Sequence, residues 1–185
     1  TQDRVAAVAK TISDAGGTVD FDARPDIDMA DAHDIFRTLL WSAMAARTPD
    51  ADFAEMLQTA SQLAPDDQSG GANMLRIQTI THPDHYTAHN NRRFLRWAWD
   101  AFFKDYDALI APIMATPAFE HDHRAMGKRK IIVDGAERSY FEQLFWAGLA
   151  VCCYLPSTVI PTGPNKDGLP IGIQIIGRQY GDLET

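Results

Sequence analysis

Apolar residues recur along this chain with two different periods, and the change from one to the other divides it. Val5, Val8, Ala9 and Ile12 fall three and four apart, which predicts a helix from Arg4 to Ala15, stopped by Gly16-Gly17. A short strand, Thr18 to Phe21, is expected next. Pro25-Asp26-Ile27-Asp28 breaks the chain. Asp28 can then cap a second helix whose stripe of Ile35, Phe36, Leu39, Leu40, Ala43 and Met44 runs to about Ala46; Trp41 and His33 on it read as packing and surface. A third helix is expected from Ala51 to Leu63. In the polar connector Pro65 to Gly71, the string Ser69-Gly70-Gly71 reads as a flexible turn, and a short helical stretch then reaches Thr81. Thr81-His82-Pro83-Asp84 has the form of a capping box with proline in the first turn, opening a long helix from His82 to about Lys104. Phe94, Leu95, Ala98, Trp99, Phe102 and Phe103 repeat at helical spacing, so its C-terminal half should clamp on a sheet. Burying one such aromatic fully contributes about 1.5–3 kcal/mol.

Beyond Tyr106 the pattern becomes that of strands. Lys130 to Ala136 predicts a hairpin turning at Asp134-Gly135. Ser139-Tyr140-Phe141-Glu142 forms a second capping box, and Phe141, Leu144, Phe145, Gly148 and Leu149 carry the helix it opens. Two β-rich runs, Ser157 to Ile160 and Ile171 to Ile176, flank a turn segment from Pro161 to Pro170. The second run is too apolar for a strand wetted on one face and should lie mid-sheet, covered on both sides. Gly172 within it marks a bulge or a close approach; Ser157 and Thr158 are expected on a buried strand.

Composition narrows the class of protein. With 185 residues, 45% hydrophobic and 23% charged, the chain can build a sizeable core, and nothing in it marks two domains. A net charge of −8 argues against a nucleic-acid surface; the one dense basic run, Lys128-Arg129-Lys130, reads as a solvated hairpin edge. No stretch of 18 apolar residues suggests a membrane span. The two cysteines, Cys152 and Cys153, are adjacent, so they read as small apolar fillers in a reducing compartment, which fits a cytoplasmic protein. His82, His85 and His89 share a helix face, but no Cys or carboxylate pattern completes a tetrahedral site beside them, and no metal or other cofactor is expected. His121-Asp122-His123 reads as a polar loop.

Three stretches point further. Leu155 to Gly177 joins a proline, a short apolar run and Pro-x-Gly to Gly168-Leu169-Pro170-Ile171-Gly172-Ile173-Gln174-Ile175-Ile176-Gly177. Tyr106-Asp107-Ala108-Leu109-Ile110-Ala111-Pro112 is followed by Thr116-Pro117-Ala118-Phe119, and the opening helix ends in Ala15-Gly16-Gly17-Thr18-Val19. Together they resemble the C-terminal part of the amidase signature family, serine hydrolases that cleave carboxamides. The resemblance implies an α/β fold, part of the amidase signature fold, with a mixed β-sheet covered by helices on both faces; residues 1–185 would form the C-terminal portion of a single such domain.

The family uses a Ser–Ser–Lys triad whose serines lie in a Gly/Ser-rich loop, and no such loop occurs in this sequence. None of the five lysines reads as desolvated, so no catalytic residue is expected in this chain. The resemblance places the last helix and the turn after it against the acyl side of the substrate pocket, making Leu144, Phe145, Trp146 and Tyr154 candidate substrate-binding residues. Counting back from Pro156 onto the family's Asn-x-x-Gly-x-Pro puts Val151 at the Asn position and Tyr154 at the Gly position, two departures from the pattern. An apolar or aryl acyl amide is expected as the small-molecule substrate, over glutamine, because this segment carries no charge. The alternatives are an amidotransferase A subunit, or a non-catalytic binding or scaffold domain. The expected partner is the missing N-terminal portion of the same protein. In its absence Ile171 to Ile176 is expected to be left as an apolar edge, so that the isolated chain forms a homodimer, aggregates or stays associated with its other half.

Overall fold

A computed structural model describes residues 2–185. Its backbone contacts group into two compact units, one made of the chain up to Ile27 together with Leu95–Thr185, the other of Asp28–Phe94.

The second unit is helical: α2 (Met29–Ala45), α3 (Asp50–Ser61), α4 (Gly70–Gln78) and the first half of α5 (His82–Phe102). Capping sets the helix starts. Asp28 Oδ1 accepts the amide N–H groups of Ala30 and Asp31 at 2.8 and 3.0 Å, and Thr81 exchanges side-chain and backbone hydrogen bonds with Asp84. Ser69-Gly70-Gly71 is not the expected flexible turn. Ser69 Oγ accepts the N–H of Ala72, and the two glycines form the first turn of α4, where a cap offsets their poor helix propensity. The stripe expected on α2 is partly displaced: Phe36 is buried with Ala32 and Ala45, but Ala43 and Met44 face solvent.

The first unit holds the sheet. β1 (Ala108–Pro112), β5 (Pro170–Gly177) and β4 (Ser157–Pro164) are ordered β1-β5-β4 with both pairings antiparallel. β5 is thus the middle strand, as its apolar run requires, and Ile173 and Ile176 are fully buried. It has a neighbour on each side within the chain, so the apolar edge expected at Ile171 to Ile176 is not formed. β4 is an edge strand, as β1 is on the other side, and is longer than expected and bulged between Pro161 and Pro164; Ser157 and Thr158 are exposed on it, not buried.

α1 (Gln2–Asp14) lies against β1 and β5 and anchors the far end of β4 as well, through Arg4, whose Nη1 donates to the Thr162 carbonyl at 2.9 Å. After Gly16, which takes φ 93, the chain does not form the strand expected at Thr18 to Phe21. Asp20 bends it, accepting the Asp22 N–H on Oδ1 and the Tyr106 hydroxyl on Oδ2, both at 2.8 Å, so its backbone joins no ladder.

In the C-terminal half of α5, Leu95, Trp99 and Phe102 are buried, Trp99 to 1% exposure, and Trp99 stacks on Phe103 while Phe102 stacks on Tyr106. Phe94, expected in the same cluster, is 55% exposed. The hairpin β2 (Lys130–Val133) and β3 (Ala136–Ser139) turns at Asp134-Gly135 with φ 50 and 78, the left-handed pair such a turn demands. The Ser139–Glu142 capping box opens a 3-10 turn that runs on into α6 (Leu144–Cys153).

Candidate functional site

The first unit gathers its polar chemistry around one residue. Gln174 interrupts the apolar run of β5 and is 1% exposed. Its amide is fully used: Nε2 donates to the carbonyls of Pro112 and Trp146 at 2.8 and 2.9 Å, and Oε1 accepts from Ser157 Oγ at 3.0 Å. One side chain thereby ties the end of β1, the first turn of α6 and the start of β4, and a buried amide so satisfied fixes the spacing among them.

Of the candidate substrate residues, Leu144, Phe145 and Trp146 stand together at the start of α6, all half-buried, with the Phe145 and Trp146 rings edge to face at 5.1 Å. Tyr154 caps the other end of the helix, about 15 Å along the axis at 1.5 Å per residue, so the four do not form one cluster. Tyr154 takes the left-handed conformation, φ 60 and ψ 34. The position therefore has the geometry for which a glycine is suited, and a tyrosine occupies it under strain. Its ring is 53% exposed and lies under the Arg96 guanidinium at 5.6 Å, while Arg96 donates to Gln179 Oε1. Val151, one turn back, is 62% exposed although α6 is otherwise almost entirely apolar.

Where β1 ends, the loop from Ile113 to Ala118 passes the β4–β5 pair and leaves a groove of about 470 Å³. Ile113, Ala118, Val159, Ile171 and Gly172 contribute apolar walls; Thr116 also lines the groove, but its Oγ1 is shut off from solvent. Gly172 matters here, because a Cβ on it would come to 3.0 Å from Val159 Cγ1. None of Leu144, Phe145, Trp146 and Tyr154 lines this groove. Sequence reasoning missed it, since its walls come from segments about forty residues and more apart; the small residues Gly172 and Ala118 were the only local trace.

The histidine clusters resolve into ordinary contacts. His85 Nδ1 lies 3.1 Å from Ser42 Oγ, a hydroxyl that also reaches the Thr38 carbonyl at 2.7 Å, so both groups are engaged in helix-surface contacts. His89 Nδ1 meets Arg92 Nη2 at 2.8 Å. Among the described residues no three His, Cys, Asp or Glu side chains converge as metal ligands. In the loop His121-Asp122-His123, Asp122 is gripped by the Arg124 guanidinium at 2.7 and 3.0 Å and by the Arg124 N–H, which hold its carboxyl down at about 2. The Tyr106 hydroxyl likewise lowers the Asp20 carboxyl, and Asp20 raises the Tyr106 phenol.

An α/β unit with β5 central and helices set against it defines a fold shared with solved amidase signature enzymes. A bacterial aryl acylamidase of that family superposes with a TM-score of 0.68 at 19% identity, over 99% of this chain and 37% of its own. The 6-aminohexanoate cyclic dimer hydrolase gives 0.64 at 19%, over 98% and 38%. The Amidase family model matches residues 1–185, and the chain belongs to that family. Among curated relatives, the A subunit of the Chlamydia pneumoniae glutamyl-tRNA(Gln) amidotransferase is 33% identical over 88 residues, 48% of this chain and 16% of its own. The fatty acid amide hydrolase of Oryza sativa subsp. indica is 27% identical over 106 residues, 56% and 16%. The chain thus spans well under half the length of the proteins it matches. No helix among the described residues is long and apolar enough to cross a membrane.

Proposed function

We propose that this chain is the C-terminal portion of a single amidase-type α/β domain, in a cytoplasmic serine hydrolase that splits a carboxamide into carboxylate and ammonia or amine. The family match along the whole chain is the observation that supports this reading most directly. The nucleophilic serine and its lysine belong to polypeptide outside these residues, because the sequence holds no loop with paired serines. The serine attacks the amide carbonyl, the amine leaves, and water releases the acyl group, with backbone N–H groups holding the oxyanion. This chain supplies the sheet, the Gln174 tie and apolar wall.

The substrate is a neutral apolar or aryl acyl amide; Leu144, Phe145 and Trp146, at the start of α6, face its acyl group, and Tyr154 borders the pocket from the other end of the helix. The supporting observation is α6 itself, which carries no ionisable group besides its cysteines to pair the ammonium or carboxylate of an amino-acid amide. The second reading, an amidotransferase A subunit, is favoured by the similarity to the Chlamydia pneumoniae protein. The test is hydrolysis of a hydrophobic anilide and of glutamine, by the chain alone and by the chain co-expressed with the polypeptide encoded upstream. Anilide turnover by the combined protein and none by the chain alone is expected. Faster glutamine hydrolysis refutes the substrate class, and turnover by the chain alone refutes the placement of the nucleophile.

A further inference from the structure

The corner between α6 and β4 is built without either residue that the Asn-x-x-Gly-x-Pro pattern sets there. Val151, at the Asn position, is mostly exposed and has no amide with which to tie neighbouring backbone. Tyr154, at the Gly position, holds a left-handed backbone that costs a tyrosine more than a glycine. Two backbone hydrogen bonds close the helix end, from Tyr154 N–H to the Val151 carbonyl and from Leu155 N–H to the Ala150 carbonyl. A glycine would make both equally well. What a glycine lacks is a ring, and the Tyr154 ring is in use. The Arg96 guanidinium of α5 lies over it at 5.6 Å and donates to Gln179 Oε1, just past the end of β5. This half-buried cation therefore takes a ring and an amide oxygen rather than a carboxylate. It joins three segments beside the point where Gly177 N–H meets the Pro156 carbonyl, at 3.1 Å.

We propose that Arg96 is a positioning residue: it pins the Tyr154 ring, steadies the corner after α6, and through that ring sets how long an acyl group the pocket accepts. It touches no substrate itself. The role in acyl length rests on the proposed function, in which the acyl group starts at Leu144–Trp146, so that only a long one reaches Tyr154 at the other end of α6. A double-mutant cycle in the full chain, read by urea denaturation, tests the clamp. Arg96→Ala lowers the folding equilibrium constant about twofold to fivefold more beside Tyr154 or Tyr154→Phe than beside Tyr154→Leu, the worth of an exposed cation–π contact. Decanoyl and acetyl 4-nitroanilides test the role in the chain co-expressed with the upstream polypeptide. There Arg96→Ala raises the decanoyl-to-acetyl KM ratio by about twofold to fivefold, with the effect in KM rather than kcat. Beside Tyr154→Phe the rise persists, and beside Tyr154→Leu it is gone. Equal effects of Arg96→Ala on folding in all three backgrounds overturn the clamp. Coupled folding with an unchanged KM ratio overturns the positioning role and leaves a structural contact alone. Turnover of neither anilide by the combined wild type overturns the proposed function and the role in acyl length with it, while the folding cycle decides the clamp by itself.

Discussion

Replacing Gln174 tests whether one buried amide holds β1, α6 and β4 in register. The side chain makes three hydrogen bonds, all within 2.8–3.0 Å. Each contributes roughly 0.5–1.5 kcal/mol net. Gln174→Leu preserves most of the volume and is expected to cost about 2–3 kcal/mol. Gln174→Ala adds a cavity in the middle strand and should cost about 3–5 kcal/mol. The more telling variant is Gln174→Glu, which is nearly isosteric but places a carboxyl against the carbonyls of Pro112 and Trp146. Two acceptors beside an acceptor disfavour the ionised form, as does burial, so the folded-state pKa rises above the unfolded value of about 4.3. Below that value both states are protonated and the variant is least impaired. Above it, folding retains a proton that the unfolded chain has released, and stability falls by about 1.4 kcal/mol per pH unit until the folded pKa is passed. Urea denaturation followed by tryptophan fluorescence, at pH 4 and pH 7, reads all three variants. A loss below about 1 kcal/mol for Gln174→Ala, or a pH-independent loss for Gln174→Glu, refutes the claim that this amide is the joint.

Two further perturbations follow from the strained cap and the charged loop. Tyr154→Gly and Tyr154→Ala both remove the ring under Arg96, but only glycine relieves the left-handed backbone, so the glycine variant should be the more stable by roughly 1 kcal/mol in thermal unfolding; equal stability refutes the strain. The Asp122 carboxyl should titrate near 2 by side-chain NMR, and Arg124→Gln should raise it only part of the way to the ordinary carboxylate range, because the backbone N–H of residue 124 and the Arg129 charge still lower it. Because its folded pKa is lowered, the loop contact is present above about pH 4 and is lost as the pH falls towards 2.

The legible parts of this fold are those where one local requirement decides. β5 announces itself because a run such as Ile171–Ile176 tolerates no wetted face, and the Asp134-Gly135 hairpin because its turn needs two left-handed residues. Asp28, Thr81 and Ser139 mark helix starts because orphan N–H groups need an acceptor there. The misread parts are those where a distant partner decides. Thr18 to Phe21 has the composition of a strand, yet the Asp20 carboxyl is occupied by a hydroxyl 86 residues away. Ser69-Gly70-Gly71 reads as a turn until Ser69 is seen to cap α4. Ser157 and Thr158 resemble a buried strand, but strand order puts them on an edge, and Phe94 keeps the helical spacing of its neighbours while pointing to solvent.

The same division separates what the sequence says about the site from what it withholds. Gln174 is conspicuous as the one amide in an apolar strand, and a buried amide must be satisfied, so its importance is readable locally. Its partners are not, since they lie 62, 28 and 17 residues away in the chain. Tyr154 makes the point from the opposite side. Counted against the Asn-x-x-Gly-x-Pro pattern it is an anomaly, and its φ of 60 is a conformation that a glycine adopts without strain. The corner after α6 is therefore set by the path from helix to edge strand rather than by the residue at the corner. A side chain is held there against its backbone preference, and that makes Tyr154 the position at which loss of the ring and relief of backbone strain can be separated by comparing the glycine and alanine variants.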